Sequence, residues 1–234
     1  SMLHKRLEAA HRETNLYLDV MTHDLKNAGN VANLYCDLLI EVLGGDAAGY
    51  AKKLRGSIRK STGILQNVST IRRIHQEPPD LRPIHLSHVI RAEIERVPEA
   101  AVAFEGASAE VWADDLLPEI FANLIGNAVT FGGPDAGITI RVEDCAEEGR
   151  MVVVTVEDTG PGIPDGMKET LFQRFSRIEN QGCGEGLGLS IVGMLVERYG
   201  GRVWVEDRVS RRPDLGAAFR FTLREVARTE RKPT

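Results

Sequence analysis

From Leu18 the apolar positions of the chain fall at Leu18, Met21, Leu25, Ala28, Ala32, Tyr35, Leu39 and Val42, in steps of three and four residues throughout. A strand cannot use this pattern, because its side chains change face at every residue. A helix can, and a seam repeating every seven residues calls for other helices packed against it. Beyond Val31 the stripe widens, as Leu34, Leu38 and Leu43 join it. So wide a face suits a four-helix bundle better than a two-stranded coil. GGDAAG, residues 44–49, breaks the helix. A second stripe then runs through Ala51, Leu54, Ile58, Ser61, Leu65 and Val68. Two long amphipathic helices with a short break predict an antiparallel hairpin. One hairpin leaves its apolar stripe bare, and pairing two hairpins covers it, so a homodimer is expected.

EPPDLRP, residues 77–83, carries three prolines and ends the second helix. The chain therefore reads as a helical hairpin over 1–76, a linker over 77–83 and an α/β domain over 84–234. In the last part Val111–Ala113 is a short strand, and Asp114 and Asp115 can cap a helix running to about Phe131. Ile138–Glu143 and Val152–Val156 read as strands. A helix over Leu187–Tyr199 stops at Gly200-Gly201, and Val203–Glu206 and Ala218–Leu223 supply further strands.

Totals exclude several classes. The net charge of −5 gives no electrostatic support for binding nucleic acid. No apolar run approaches a membrane-spanning length, and no leader is visible. Three widely spaced cysteines, Cys36, Cys145 and Cys183, favour reduced thiols over a disulfide framework or a zinc site. A soluble, cytoplasmic core is the expectation. Charged helical sequence follows Ser1-Met2 at once, which suggests a piece cut from a longer, membrane-associated or soluble chain whose N-terminal region is missing.

The chemistry lies in three short stretches of the α/β part. NLIGNAV puts Asn123 and Asn127 one helical turn apart on one face. A carboxamide oxygen suits Mg²⁺, which prefers oxygen ligands and keeps several waters. EDTGPGI follows an apolar strand. There Asp158 could accept a hydrogen bond from an exocyclic amine, and the glycines allow close approach of the backbone. GCGEGLGLSI, residues 182–191, runs a glycine-rich loop into a helix, an arrangement whose amides can hold phosphate. The P-loop and protein-kinase motifs are absent.

In this order and spacing the stretches resemble the ATP-binding domain of sensor histidine kinases, within the group that includes gyrase, Hsp90 and MutL. NLIGNAV looks like the N box, DTGPGI the first glycine box, LFQRF (171–175) the F box, GEGLGL (184–189) the second glycine box and GAAFRFTL (216–223) the closing strand. The resemblance implies an α/β sandwich binding ATP between the N-box helix and a lid over roughly 164–184. By matched position Asn127 would bind Mg²⁺, and Asn123 would support metal and phosphates. Asp158 would take the adenine amine, with Gly160 and Gly162 letting the base come close. Phe172 and Phe175 would anchor the lid, and Gly184, Gly186, Leu187 and Gly188 would close on the phosphates. ATP hydrolases of the wider group carry a glutamate where this chain has Asn123, so transfer to a protein acceptor is favoured over hydrolysis.

HDLKN, within the first helix, then resembles the family's H box. His23 falls at heptad position f, furthest from the seam, and by the match it is the phosphoacceptor, attacking through Nε2. Asp24 would be its base or orienter, and Asn27 would position water to dephosphorylate the receiver domain of a partner response regulator. Two departures stand out. Where the family often has proline five residues after the histidine, this chain has Ala28 followed by Gly29, and Gly29 is read as supplying pliability. Where the N box usually has a basic residue, this chain has Thr130, with Lys168, Arg174 or Arg177 as candidate replacements. The HD-x-x-N form and VWVEDRV (203–209) look most like archaeal members. Two other readings stay open: a dimeric scaffold that binds ATP without efficient autokinase activity, which Thr130 favours, and an ATP hydrolase, which Asn123 and the H box disfavour.

Overall fold

The computed structural model describes residues 2–106, 108–133, 135–145, 150–172 and 187–227, with side chains described from residue 21. The chain forms two compact units, residues 1–73 and 74–234.

The first unit is built on two helices, α1 (Met2–Val42) and α2 (Gly45–Gln76), the last three residues of α2 being counted with the second unit. The break between them is only Leu43-Gly44. Gly45, at φ +59°, makes the turn, and the rest of the GGDAAG stretch is already helix. Asp46 lies in the first turn of α2, where a negative charge meets the positive end of the helix dipole. Three cross-helix contacts run in antiparallel register. Arg55 donates to Asp37 at 2.6 Å, Thr62 lies against Gly29, and Lys26 donates to Gln66 at 3.3 Å.

The helices of one chain do not meet along the predicted seam. Met21, Leu25, Tyr35, Leu39 and Val42 are exposed, Val42 at 82%. Contact instead follows Gly29, Asn33, Cys36 and Ile40 on α1, with Cys36 buried, against Ala51, Ile58 and Thr62 on α2. At 3.6 residues per turn this stripe lies about 100° around α1 from the seam. Apart from Ile40 it holds small and polar side chains, which a search for apolar spacing passes over. Gly29 has a packing role there: a Cβ would collide with Thr62 Cγ2, and α1 runs through it without a break.

The second unit carries β1 (Arg82–His85), α3 (Leu86–Glu95), β2 (Ala101–Gly106), β3 (Glu110–Ala113), α4 (Leu117–Gly132), β4 (Gly137–Cys145), β5 (Met151–Asp158), α5 (Asp165–Lys168), α6 (Leu187–Arg198), β6 (Val203–Val209) and β7 (Arg212–Arg224). β1 and β3 form a small antiparallel sheet, and the main sheet has the order β2-β4-β5-β7-β6. Only the β2–β4 pairing is parallel. Alternation along β4 and β5 sends Ile138, Ile140, Val142, Val152, Val154 and Val156 inward. These residues meet the apolar faces of α4 (Ile120, Phe121, Leu124) and α6 (Ile191, Leu195) in one core. Phe121 packs edge-on against Phe221 at 5.9 Å. Asp114 does not cap α4 by itself. Its carboxylate accepts the Leu116 amide at 3.0 Å, one residue ahead of the helix. β1, α3, β2 and the short α5 are additions to the elements expected from sequence, and Arg82 and Pro83 lie in β1.

Candidate functional site

His23 lies on α1 with its side chain 73% exposed. Position i+1 brings Asp24 beside it, and position i+4 brings Asn27 under it. Asp24 Oδ1 is 3.2 Å from His23 Nδ1. Asn27 Nδ2 is 3.3 Å from Nδ1 and 3.4 Å from Nε2. When the Nδ1 proton is donated to Asp24, Nε2 keeps its lone pair, with the Asn27 amide beside it. The helix thus presents a nucleophile, an acceptor for its far proton and a carboxamide within one turn.

In the second unit α4 supplies the two asparagines. Asn123 Nδ2 donates to the Glu119 carbonyl at 2.7 Å, one turn back on the same helix. This orients Oδ1 toward the start of α6, where a Cβ on Gly188 would collide with it. The contact joins the N-box-like and second glycine-box-like stretches, 65 positions apart. Asn127, one turn on, has no hydrogen-bond partner among the described residues. Thr130 turns its hydroxyl back to the Gly126 carbonyl at 2.7 Å, so it offers no cation to a phosphate.

Asp158 ends β5 and is only 8% exposed. Burial pushes its carboxyl above the ordinary range. The Gly160 and Ala217 amides and the Arg208 charge pull it back in part. The Gly160 amide donates to Asp158 Oδ1 at 2.8 Å. Gly160 also packs on the backbone of Gly132 at the end of α4, where a Cβ would lie 3.0 Å from Gly132 Cα. Two glycines in contact thus bring the end of α4 onto the Asp158 turn. Gly162, at φ +71°, is demanded by the backbone of Pro213, which a Cβ would strike. Its role here is to seat the β6–β7 hairpin, in addition to any ligand.

Phe172 stands edge-on to Phe219 at 6.3 Å and lies against Gly193 of α6. Leu187 is the first residue of α6. Phe175, Gly184 and Gly186, and the cations Arg174 and Arg177, lie outside the described residues. Lys168 is paired with Asp165 and Asp207. Two contributors were not singled out from sequence: Gly132, and Arg208, which donates to the Leu215 carbonyl at 2.8 Å. Both act through contacts between distant segments, and spacing carries no signal for these.

The residues fit a magnesium–nucleotide. Among the described residues no cluster of three or more His, Cys, Asp or Glu could hold a metal alone. Magnesium is commonly held by one or two protein oxygens together with substrate phosphates. The carboxamide of Asn127, without a partner among the described residues, suits that arrangement. No helix among the described residues is long and apolar enough to cross a membrane.

Residues 113–227 match the family model for histidine kinase-, DNA gyrase B- and HSP90-like ATPases. Sensor histidine kinase AruS of Pseudomonas aeruginosa is 30% identical over 241 residues, covering 92% of this chain and 23% of that protein. Sensor protein KdpD of Escherichia coli is 29% identical over 224 residues, covering 89% of this chain and 24% of that protein. The chain therefore spans about a quarter of the length of these relatives. Both are bacterial, and they give no support to an archaeal likeness. Among solved structures, full-length ShkA in complex with AMPPNP matches with a TM-score of 0.60 and 26% identity, over 90% of this chain and 46% of that one. The catalytic domain of histidine kinase ThkA matches with a TM-score of 0.53 and 28% identity, over 63% of this chain and 99% of that one. The chain belongs to the sensor histidine kinases, with the ATPase domain of that family in its second unit.

Proposed function

We propose that this chain is a histidine kinase core that transfers the γ-phosphoryl group of ATP to His23 and passes it to an aspartate of a response regulator receiver domain. The observation that carries the reading is the exposed His23 imidazole with Asp24 and Asn27 both within 3.4 Å of its ring nitrogens. In the first step Nε2 attacks the γ-phosphorus in line. The N–P bond forms, the bond to the β–γ bridging oxygen breaks, and ADP leaves. The ring gains positive charge as this happens, and Asp24 relieves it by taking the Nδ1 proton.

Asp158 would accept the adenine amine, and Asn123 with the start of α6 would face the phosphates. Magnesium, held by Asn127 and the phosphates, would offset the phosphate charge during transfer. Asn27 would orient water for dephosphorylating the regulator. The exposed seam of Met21, Leu25, Tyr35, Leu39 and Val42 supports a homodimer closed as a four-helix bundle. The domain limits proposed are 1–76 and 84–234, joined by 77–83.

The test is incubation with γ-labelled ATP and Mg²⁺. Label that is acid-labile, alkali-stable and lost in His23→Gln supports the reading. An unlabelled wild type that still binds ATP would favour the second reading, a dimeric ATP-binding scaffold. The Thr130 hydroxyl, bonded to its own helix, is the observation on that side.

A further inference from the structure

Arg198, the last residue of α6, uses its guanidinium three ways. Nε donates to Asp114 Oδ2 at 2.9 Å, and Nη1 donates to the backbone carbonyls of Ile74 and Glu77, each at 2.9 Å. Asp114 is held in turn. The Tyr199 hydroxyl donates to its Oδ1 at 2.5 Å, and the Leu116 amide donates to the same atom. The Arg198 and Asp114 side chains are 8% and 10% exposed. All of these residues belong to the second unit.

The two carbonyls have a particular place in the chain. Ile74 lies in the last turn of α2, where carbonyls lack helical partners and carry partial negative charge. Glu77 is the first residue after that helix, and Pro78 and Pro79 follow it. Those prolines stiffen the segment leading to β1. Packing alone would be served as well by apolar side chains, because a buried ion pair gives little net stability over them. A planar fork adds the ability to hold a carboxylate and two carbonyls at fixed angles.

We propose that Arg198, braced by Asp114 and Tyr199, is a positioning residue for phosphoryl transfer: it clasps the end of α2 and so fixes the point from which the ATP-binding unit is tethered. The role rests on the kinase reading above. With the clasp open, the last turn of α2 joins residues 78–81 as one longer, looser tether. The local concentration of the nucleotide site at its acceptor then falls, since effective concentration drops as a tether lengthens and loosens.

The experiment compares the wild type with Arg198→Met by three measurements: affinity for a non-hydrolysable ATP analogue, the rate of tryptic cleavage after Arg72 or Arg73, and the labelling rate at saturating ATP and Mg²⁺. Expected are unchanged analogue affinity, faster cleavage and labelling slowed about 3- to 10-fold, with Arg198→Lys partly restoring both rates. Unchanged cleavage, unchanged labelling, or a matching loss of analogue affinity would each overturn the proposal. If Arg198→Met does not fold because it strands Asp114, the double variant Asp114→Asn/Arg198→Met removes that charge and takes its place. A wild type that takes no label defeats the kinase reading and the positioning role with it, whereas the cleavage result still reports on the clasp by itself.

Discussion

Asn123 occupies the space that a side chain at position 188 would need: a Cβ on Gly188 would collide with its Oδ1. Gly188→Ala must therefore displace Asn123 or the start of α6. Overpacking of this kind typically costs about 1–3 kcal/mol, and here the displaced groups are those proposed to face the phosphates. Affinity for an ATP analogue, measured by calorimetry, should fall about tenfold or more. An unchanged affinity would show that this contact does not shape the nucleotide site.

Asp158 and Asp114 should give stability opposite dependences on pH. Burial raises the Asp158 carboxyl, so its contribution is fully present below the ordinary carboxylate pKa and is lost as pH rises through the raised value. Burial alone would also raise Asp114, but the Tyr199 hydroxyl, the Leu116 amide and Arg198 outweigh it and leave its pKa lowered. Its contribution is present above the ordinary value and lost as pH falls through the lowered one. Asp158→Asn keeps an oxygen for the Gly160 amide and removes the buried charge. At neutral pH without nucleotide it should melt higher, by about 2–4 °C for each kcal/mol gained, while losing ATP affinity. Unchanged ATP affinity would mean that adenine binds elsewhere.

The two faces of α1 should fail differently. Leu25→Asp or Leu39→Asp places a charge on the exposed seam, and light scattering should report monomers with helix content retained. Gly29→Val instead forces methyl groups onto Thr62. Circular dichroism should then show a lowered melting temperature of the helical unit. A wild type that is monomeric at micromolar concentration would refute the dimer.

Asp24 and Asn27 touch the same imidazole and should separate two reactions. Asp24→Ala removes the acceptor for the Nδ1 proton and should slow labelling by about 10²–10⁴-fold. Asn27→Ala should leave labelling largely intact and abolish dephosphorylation of a cognate regulator, because a carboxamide can orient water without taking its proton. If Asn27→Ala loses both activities while remaining a dimer, the division of labour is wrong.

Much of the second unit was legible because its signals are local. Alternation marked β4, a short apolar run marked β5, and the Gly200-Gly201 stop marked the end of α6. β1, α3 and β2 were missed. The outer positions of β1 and β2 are exposed, so neither strand carries a full alternating code. α3 has only ten residues and buries Glu93 among its apolar positions. The asparagines and Asp158 stood out as polar residues in apolar stretches. Their partners did not, because Gly188, Gly132 and Pro213 become neighbours only when distant segments fold together. In the first unit the conspicuous stripe is the one left exposed, and the stripe that closes the hairpin is made of a glycine, an asparagine, a cysteine and a single isoleucine.

That separation has an evolutionary consequence. Hairpin closure does not use Met21, Leu25, Tyr35, Leu39 or Val42, so these residues can change without weakening the chain's own fold. After a gene duplication, two copies could drift along this face until each accepts only itself. A mismatch there would bury a poor fit or a lone charge, and that is enough to exclude the wrong partner. A dimer closed by this face would then share a cell with its relatives without mixing subunits.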